Sequence, residues 1–506
     1  METLMQHVPI LPVLVPLTVT ILMLMFFRDN VRVQRALSIA SAITLLVFTT
    51  LLLIKVNAED VIVYLLGNWQ PPFGIVLMVD RLSVIMLYLC AITGLASLVF
   101  ACGELDERRE RTHFHPLFQL LMMGINGAFL TGDLFNLFVS YEILLAASYG
   151  LLSLGNEPYQ LRATVQYLVL NLVKSTLFLF GVAVLYSVLG TVNMAHLSQR
   201  IAMLDNNAQR MFVEVAGFVL LTVFSIKAAL VPLFFWMPDS YPAPAAAVGA
   251  MFAGMMTKVG VYSLARVFPL VFHGTESWAG NWVLPISAVT MVGGVLGAVA
   301  QTNFRRLLSF HITSQVGYMV MGIGLFTPAG LGAAIFYIAH HILVKAGLFL
   351  IAGIAERLSG EKDIRKMGRL IRHPVTAGLF LIAGWSLAGV PPLSGFWAKL
   401  FVVKEGLSLH AYYAVFAALL TGLLTLFSMT KVWVMAFWEG EAKRLRQVPA
   451  TMIAGALLLV SFSAIIPIIA EPIWRFCEIA GKHVTNPELY IRAVLGSEGI
   501  IANTLP

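Results

Sequence analysis

Six lysines lie inside the hydrophobic stretches of this chain, and they fall into three pairs at an almost constant interval. Lys174 and Lys345 are 171 positions apart, Lys227 and Lys399 are 172 apart, and Lys258 and Lys431 are 173 apart. Neighbours travel with two of the pairs. Leu172-Val173-Lys174 and Leu177-Phe178-Leu179 recur as Leu343-Val344-Lys345 and Leu348-Phe349-Leu350, and Met256-Thr257-Lys258-Val259 recurs as Met429-Thr430-Lys431-Val432. Self-similarity at one long period marks a duplicated module. A lysine at the centre of a bilayer costs roughly 2.5–3.5 kcal/mol, so six facing lipid would cost on the order of 15–20 kcal/mol if the terms added. They must face protein or a watered path. An amine taken out of water can load and release a proton near neutrality, which a guanidinium never does.

One carboxylate accompanies them. Glu142 stands in Asp133-Leu-Phe-Asn136-Leu-Phe-Val-Ser140-Tyr141-Glu142, some two turns into its span, whereas Glu214 sits within a turn of the start of its own and reads as interfacial. The duplication projects Glu142 onto Ser314 or Gln315, so the second copy lacks the acid. Glu142 set opposite Lys227 would form an ion pair whose opening changes the proton affinity of the next group. The plainer alternative is a static pair that fixes helix register. His340 and His341 precede Lys345 by about one turn, and imidazole titrates near neutrality, so they could join the two halves of a proton wire. Hydrogen-bonded core histidines are the plain alternative. His311 is a further candidate, and Lys174 and Lys431 rest on the duplication.

Other chemistry is poorly served. Hard cations want several oxygen ligands, and one clear carboxylate suits protons better than a dehydrated Na⁺. No P-loop, dinucleotide fingerprint or catalytic-triad spacing is visible, and no cofactor is indicated. Cys90, Cys102 and Cys477 are widely spaced and read as small core residues rather than a metal cage or disulfide framework. The glycines of Gly293-Gly294-Val-Leu-Gly297 read as close helix packing.

The elements that carry these residues are membrane helices. Of 506 residues 59% are hydrophobic and 12% charged, and the mean hydropathy is +0.85. Apolar stretches of about 20 residues, the length that crosses the hydrocarbon, begin near Val8, Ala36, Leu82, Phe114, Leu134, Ala163, Met211, Pro244, Asn281, Leu307, Leu331, Val375, Ala411 and Ala450. The expected fold is therefore an all-α polytopic membrane protein with about 14 transmembrane helices. The first lacks a basic leading region and a small-residue cleavage site before Arg28, and reads as permanent.

The net charge of +7 could suggest nucleic acid, but the basic residues are spread over short loops. Roughly 18 fall in one alternate set, from Arg28, Arg32 and Arg35 to Lys443, Arg444 and Arg446, against roughly 9 in the other. The richer set should be cytoplasmic, with both termini outside. The loop from Glu356 to His373 belongs to it and reads as a surface connector.

Four regions are expected: 1–112 with three helices, 113–270 and 271–440 with five each, and 441–506 with one helix and a tail. An odd number of spans per copy inverts the second copy relative to the first. The Lys227 span runs into Pro232, Pro238, Pro242 and Pro244, and the Lys399 span contains Gly389-Val-Pro391-Pro392-Leu-Ser-Gly395. Both helices should be broken, and broken backbone at membrane depth is tolerated where protein or water satisfies it, as along ion pathways. Simple kinks in packed helices are the alternative.

With these residues in place the chain resembles a known family. Gly132-Asp133-Leu-Phe-Asn136 through Glu142, the Lys227 helix, Met256-Thr-Lys258, His340-His341 and Pro391-Pro392-Leu-Ser-Gly395-Phe-Trp397-Ala-Lys399 are similar to the antiporter-like proteins shared by respiratory complex I and the Mrp (Pha, Sha) multisubunit Na⁺/H⁺ antiporters. The length, Asn136 and Ala436-Phe437-Trp438 resemble the D-type branch of the Mrp proteins. The resemblance implies inverted five-helix repeats, Glu142 and Lys227 as a gating pair, Lys258 as the central lysine, His340 and His341 as the bridge, and Lys399 as the distal proton site. It further implies a bacterial inner-membrane complex with other Mrp-type subunits that exchanges protons for a monovalent cation, in contact with lipid. Ser140-Tyr141 departs from the bulkier aromatic pair of the family pattern. Competing readings are a proton-pumping subunit of a complex I or membrane-bound hydrogenase type redox complex, a non-conducting structural subunit, and a polytopic enzyme. The enzyme lacks a cluster of acids or histidines at one membrane face, and the structural role is weakened by six buried lysines.

Overall fold

The computed structural model describes residues 6–272, 276–441 and 445–496. Lys443 and Arg444, counted above among the loop charges, lie outside them. The helices, in chain order, are α1 (Leu11–Phe26), α2 (Val31–Glu59), α3 (Arg81–Glu104), α4 (Phe114–Leu130), α5 (Leu134–Ser153), α6 (Pro158–Leu189), α7 (Met194–Ala202), α8 (Asn207–Ala228), α9 (Ala246–Val271), α10 (Glu276–Val299), α11 (Phe304–Gly324), α12 (Pro328–Ser359), α13 (Pro374–Ala388), α14 (Ser394–Ser408), α15 (Tyr412–Val432), α16 (Ala450–Ile465), α17 (Ala470–Thr485) and α18 (Pro487–Leu495). Among the described residues ten helices are long and apolar enough to cross a membrane, or eleven if the bent pair α16–α17 is one span. Length and composition thus fall short of the expected 14. The helices α4 and α13 are apolar but shorter, and α11 is interrupted by Arg305, Arg306, His311 and Gln315.

Sequence duplication is visible in α6 and α12. Each has 32 residues, carries Pro in its first turn and ends on a left-handed glycine, Gly190 at φ +64° and Gly360 at φ +76°. Proline is preorganised for a helix start and glycine for such an end. Their surroundings differ. The hydrophobic stretch of α12 is buried throughout, whereas only a third of that of α6 is buried. The centre of the molecule is therefore α12, packed by α3, α9, α11, α14, α16 and α17.

Both expected breaks are present, on opposite sides of their lysines. The helix α8 stops at Ala228, one residue after Lys227, and Ala229 turns left-handed at φ +61°. The second break follows Ala388, with Gly389 at φ +89°, and Lys399 lies beyond it on α14. Gly389 meets two demands, the positive φ and space, because a Cβ there would lie 2.8 Å from Lys399 Cδ.

Three features were missed or misread from the sequence. A β-hairpin pairs β1 (Val61–Leu65) with β2 (Val76–Asp80) antiparallel; its Val-Ile-Val-Tyr run has strand propensity but lies between two strong helical spans. The connector after α12 is more than a surface loop, because Ile364, Met367 and Leu370 are fully buried beneath its charges and Arg369 N–H donates to Glu439 O at 3.0 Å. The tail after α16 is also helical. The helix α17 turns by 83°, exposes the Glu471–Arg475 and Glu478–Lys482 pairs, and presses Cys477, Ala480 and Gly481 onto α12, where a Cβ on Gly481 would meet Pro328 O at 2.1 Å. Its i,i+4 charges kept it below a hydropathy threshold.

The hairpin defines one face of the bundle. His7 Nδ1 lies 2.9 Å from the Tyr64 hydroxyl, and α18 packs on β1, so both described ends lie on that face. Beneath it Arg266, near the end of α9, donates to both carboxylate oxygens of Asp80 at 2.6 and 2.7 Å. Burial alone would raise the Asp80 carboxyl, but the Arg266 charge and its hydrogen bonds, with those of Ser83, hold it below the usual range. That contribution to stability is complete above the unfolded value of about pH 3.9 and is lost as pH falls through the lower folded value. Asp80→Ala should cost about 3–5 kcal/mol by leaving a buried guanidinium unpaired, seen as early thermal unfolding of the detergent-solubilised complex. Restoring stability with Arg266→Leu on top would confirm the cause.

Candidate ion pathway

Lys174, Lys227, Lys258 and Lys345 are buried at 0, 1, 0 and 0% exposure, so none of the four faces lipid. The first group gathers around Tyr141. Lys174 Nζ on α6 lies 5.2 Å from the centroid of its ring and Lys227 Nζ on α8 lies 5.5 Å from it. Lys174 also donates to Asn171 Oδ1 at 3.3 Å, whereas Lys227 Nζ has no hydrogen-bond partner among the described residues. The Tyr141 hydroxyl reaches α9, at 2.8 Å from Ser263 Oγ and 3.3 Å from Val259 O.

Glu142 is not in an ion pair with Lys227. No contact within 4 Å joins them among the described residues, and the half-buried carboxylate instead accepts a hydrogen bond from the Ser175 hydroxyl on α6. The ion pair expected from the sequence is thus not present in the structure. Adjacent residues of α5 point their side chains to different partners, so Tyr141, and not Glu142, meets the Lys227 ammonium.

Lys258 follows a π-helical turn, Phe252–Met256, and donates to Ala253 O at 2.6 Å. Such a turn frees carbonyls from the regular ladder. Gly260, two residues on, lets α9 touch the α8 break, since a Cβ there would lie 2.5 Å from Ala228 N and 2.8 Å from Lys227 C. Backbone cannot yield as a flexible side chain can, so Gly260→Ala should separate the two lysine-bearing segments at a cost of about 1–3 kcal/mol. A lowered melting temperature of the assembled complex together with slowed ion exchange is the expected result.

From α9 the polar groups continue onto α11, α12 and α14. Gly254 of the π turn faces Ala346 and Ile342, beside Lys345 and His341. Lys345 donates to Leu308 O at 3.3 Å. His340 Nδ1 is 2.8 Å from Ser394 Oγ, which also contacts Ser386 at 2.8 Å and Ser463 at 3.2 Å. The His340 ring meets Tyr337 edge-on at 5.8 Å, Tyr337 stacks on Tyr318 at 5.2 Å, and Lys399 Nζ stands 5.4 Å from the Tyr318 centroid. Lys399 donates to Ala388 O at 2.6 Å, at the open end of α13. Gln315, at the projected place of Glu142, accepts from the Tyr337 hydroxyl at 2.5 Å. His311 Nε2 lies 2.9 Å from Ser428 Oγ.

Lys431 departs from the set. It is part-buried and donates to Val299 O and Gln301 O at 2.9 Å each, capping the end of α10. It sits at a helix end on the face opposite the hairpin, because the duplication preserved its sequence neighbourhood but not its depth. Arg266 is buried against Asp80. Tyr141, Tyr318 and Tyr337 were not singled out; no sequence signal distinguishes a ring beneath an ammonium from an ordinary core aromatic. Lys227 Nζ, both His341 ring nitrogens, His340 Nε2, His311 Nδ1, Thr257 Oγ1 and Thr313 Oγ1 are buried without partners among the described residues. Buried polar atoms are satisfied by protein or by internal water, so the track is suited to water-borne proton transfer.

A family model described as NADH:quinone oxidoreductase/Mrp antiporter, TM, matches residues 131–425, which contain every lysine of the track. The chain belongs to this family. It is 43% identical to the D-type subunit of the Na⁺/H⁺ antiporter of Alkalihalophilus pseudofirmus, over 97% of this chain and all of that protein. Its fold matches a chain in the structure of the Mrp complex from Dietzia sp. with a TM-score of 0.90 and 31% identity, covering 98% of this chain and all of that one. A chain of the archaeal membrane-bound sulfane sulfur reductase, a respiratory membrane complex, matches with a TM-score of 0.88 and 25% identity over 97% and 100%.

Proposed function

We propose that this chain is the proton-translocating, D-type member of a multisubunit Na⁺/H⁺ antiporter, assembled with other Mrp-type subunits. The carrying observation is the track from Lys174 and Lys227 through Lys258, His341, Lys345 and His340, all buried, to the part-buried Lys399, which offers ammonium and imidazole groups but one carboxylate. Glu142 gates it by closing onto Lys227 and opening again. His340 and His341 bridge the copies and Lys399 exchanges protons at the far end, while His311 lies beside the track and Lys431 at its edge. Na⁺ crosses elsewhere in the complex, since fixed positive charges oppose its entry.

The organisation we assign is 1–112, an N-terminal three-helix region with its hairpin; 113–270 and 271–440, the inverted repeats; and 441–506, which includes the strap α17. Equal lengths of α6 and α12 and a break beside Lys227 and Lys399 support that division. The arginine-rich loops would face the cytoplasm of a bacterial cell, placing both termini outside the inner membrane.

The test uses everted vesicles from cells lacking other Na⁺/H⁺ antiporters and expressing the complete complex. Added Na⁺ should collapse a preformed pH gradient without any electron donor. Substituting a track lysine that leaves measurable exchange, such as Lys258 or Lys345, should displace the pH profile more than the apparent Na⁺ affinity. The likeness to the sulfane sulfur reductase chain favours a second reading, a redox-driven pump subunit. Proton movement that requires an electron donor and ignores Na⁺ would select it.

A further inference from the structure

Two lysines over one ring call for an explanation that a single gating pair does not give. The distances of 5.2 and 5.5 Å to the Tyr141 centroid place Lys174 and Lys227 Nζ no more than about 11 Å apart. Tyr141 and both ammonium groups are buried. The charged groups facing this ring are Lys174 from α6, Lys227 from α8 and, on its own helix, Glu142; α9 presents the neutral Ser263, with Lys258 about one turn away. With Glu142 ionised, two ammoniums leave the site one net positive charge, while one ammonium leaves it neutral. Uncompensated charge in a protein interior is strongly disfavoured.

The second copy does not share this arrangement. Among the described residues Lys399 is the one lysine over Tyr318, and Lys345, the duplicate of Lys174, donates to Leu308 O instead. The copy with two lysines on a ring is the copy that has the carboxylate.

Building on the proposed antiporter reading, we infer that Tyr141 is a shared platform on which one positive charge alternates between Lys174 and Lys227. This makes Lys174 a working member of the proton path and Tyr141 its positioning residue. In the step, an N–H bond of the Lys174 ammonium breaks, the proton passes through water, and a new N–H bond forms on the Lys227 amine. Tyr141 keeps its own proton. Its ring stabilises whichever ammonium is present, and its hydroxyl anchors the ring to α9.

The experiment compares Tyr141→Phe, Tyr141→Leu, Lys174→Gln and Lys174→Arg in the assembled complex, by Na⁺-driven exchange in everted vesicles across pH. Tyr141→Phe should keep more than about half of the rate because the ring remains. Tyr141→Leu should lose roughly ten- to thirtyfold, the range of a desolvated cation–π contact, and move the pH profile. Both Lys174 variants should lose about tenfold or more, because glutamine cannot accept the charge and arginine cannot release it. An assembled Tyr141→Leu or Lys174→Gln complex with wild-type rate and pH profile overturns the platform, as does equal loss in Tyr141→Phe and Tyr141→Leu. Should Tyr141→Leu not assemble, Tyr141→Phe and the Lys174 pair decide. Inactive Glu142→Ala beside wild-type Tyr141→Leu would sink the platform alone, whereas an unmodified complex without Na⁺-driven exchange would remove the antiporter reading.

Discussion

Glu142→Ala and Lys227→Ala should each reduce Na⁺-driven proton exchange to background, by at least about a hundredfold, the usual scale for losing a positioned proton-transfer group. The complex should still assemble. Glu142 is half-buried and bonded to Ser175, and Lys227 Nζ has no hydrogen-bond partner among the described residues, so neither residue holds the fold through the other. Closing the pair would bring an opposite charge to Lys227 and favour its protonated form; opening it leaves the charge on the Tyr141 ring alone. Each alanine freezes one end of that alternation. Immunodetection of the partner subunits in purified complex, beside vesicle dye-quench assays, separates lost assembly from lost exchange. Near wild-type exchange by either assembled variant would exclude an essential gating pair.

Lys399→Leu should be nearly as damaging, whereas Lys399→Glu should keep a measurable fraction of activity. The side chain donates to Ala388 O at the end of α13 and rests over Tyr318. The break beside it leaves backbone carbonyls for water. A carboxyl can load and release a proton at this position, though it would lose the ring contact and face a carbonyl when ionised, so full activity is not expected. Leucine fills the space and exchanges nothing. Comparable loss in the two variants would mean that fixed positive charge, rather than proton exchange, is required there.

Charges in apolar surroundings announced themselves in the sequence, which is why Lys174, Lys227, Lys258, Lys345 and Lys399 were found with their helices and their duplication. The breaks were equally legible, since Pro232 and Pro391-Pro392 cannot continue a helix. Depth along a span was not. Lys431 shares Met-Thr-Lys-Val with Lys258, yet a helix end places it near a membrane face. Pairing was also illegible. The sequence names Glu142 and Lys227 as opposite charges, but the direction of Tyr141 between them depends on how α5, α6 and α8 meet in space. The hairpin and α17 are illegible to hydropathy, because a short alternating strand and a charged amphipathic helix beside strong membrane spans carry their signal in alternation and helical spacing.

The partners of the lysines divide the path by kind. Lys258, Lys345 and Lys399 donate to backbone carbonyls, those of Ala253, Leu308 and Ala388. A peptide oxygen steadies an ammonium but never takes its proton and never changes its own charge. The three wells are fixed in kind, although their contacts differ, at 2.6, 3.3 and 2.6 Å, and Lys399 also rests over Tyr318. Among the described residues of the proposed path, Glu142 is the partner whose own charge can vary, so a deep well could be made and unmade there. A direction of flow imposed on this chain would then be set at one end, the remainder of the path serving as a passive corridor.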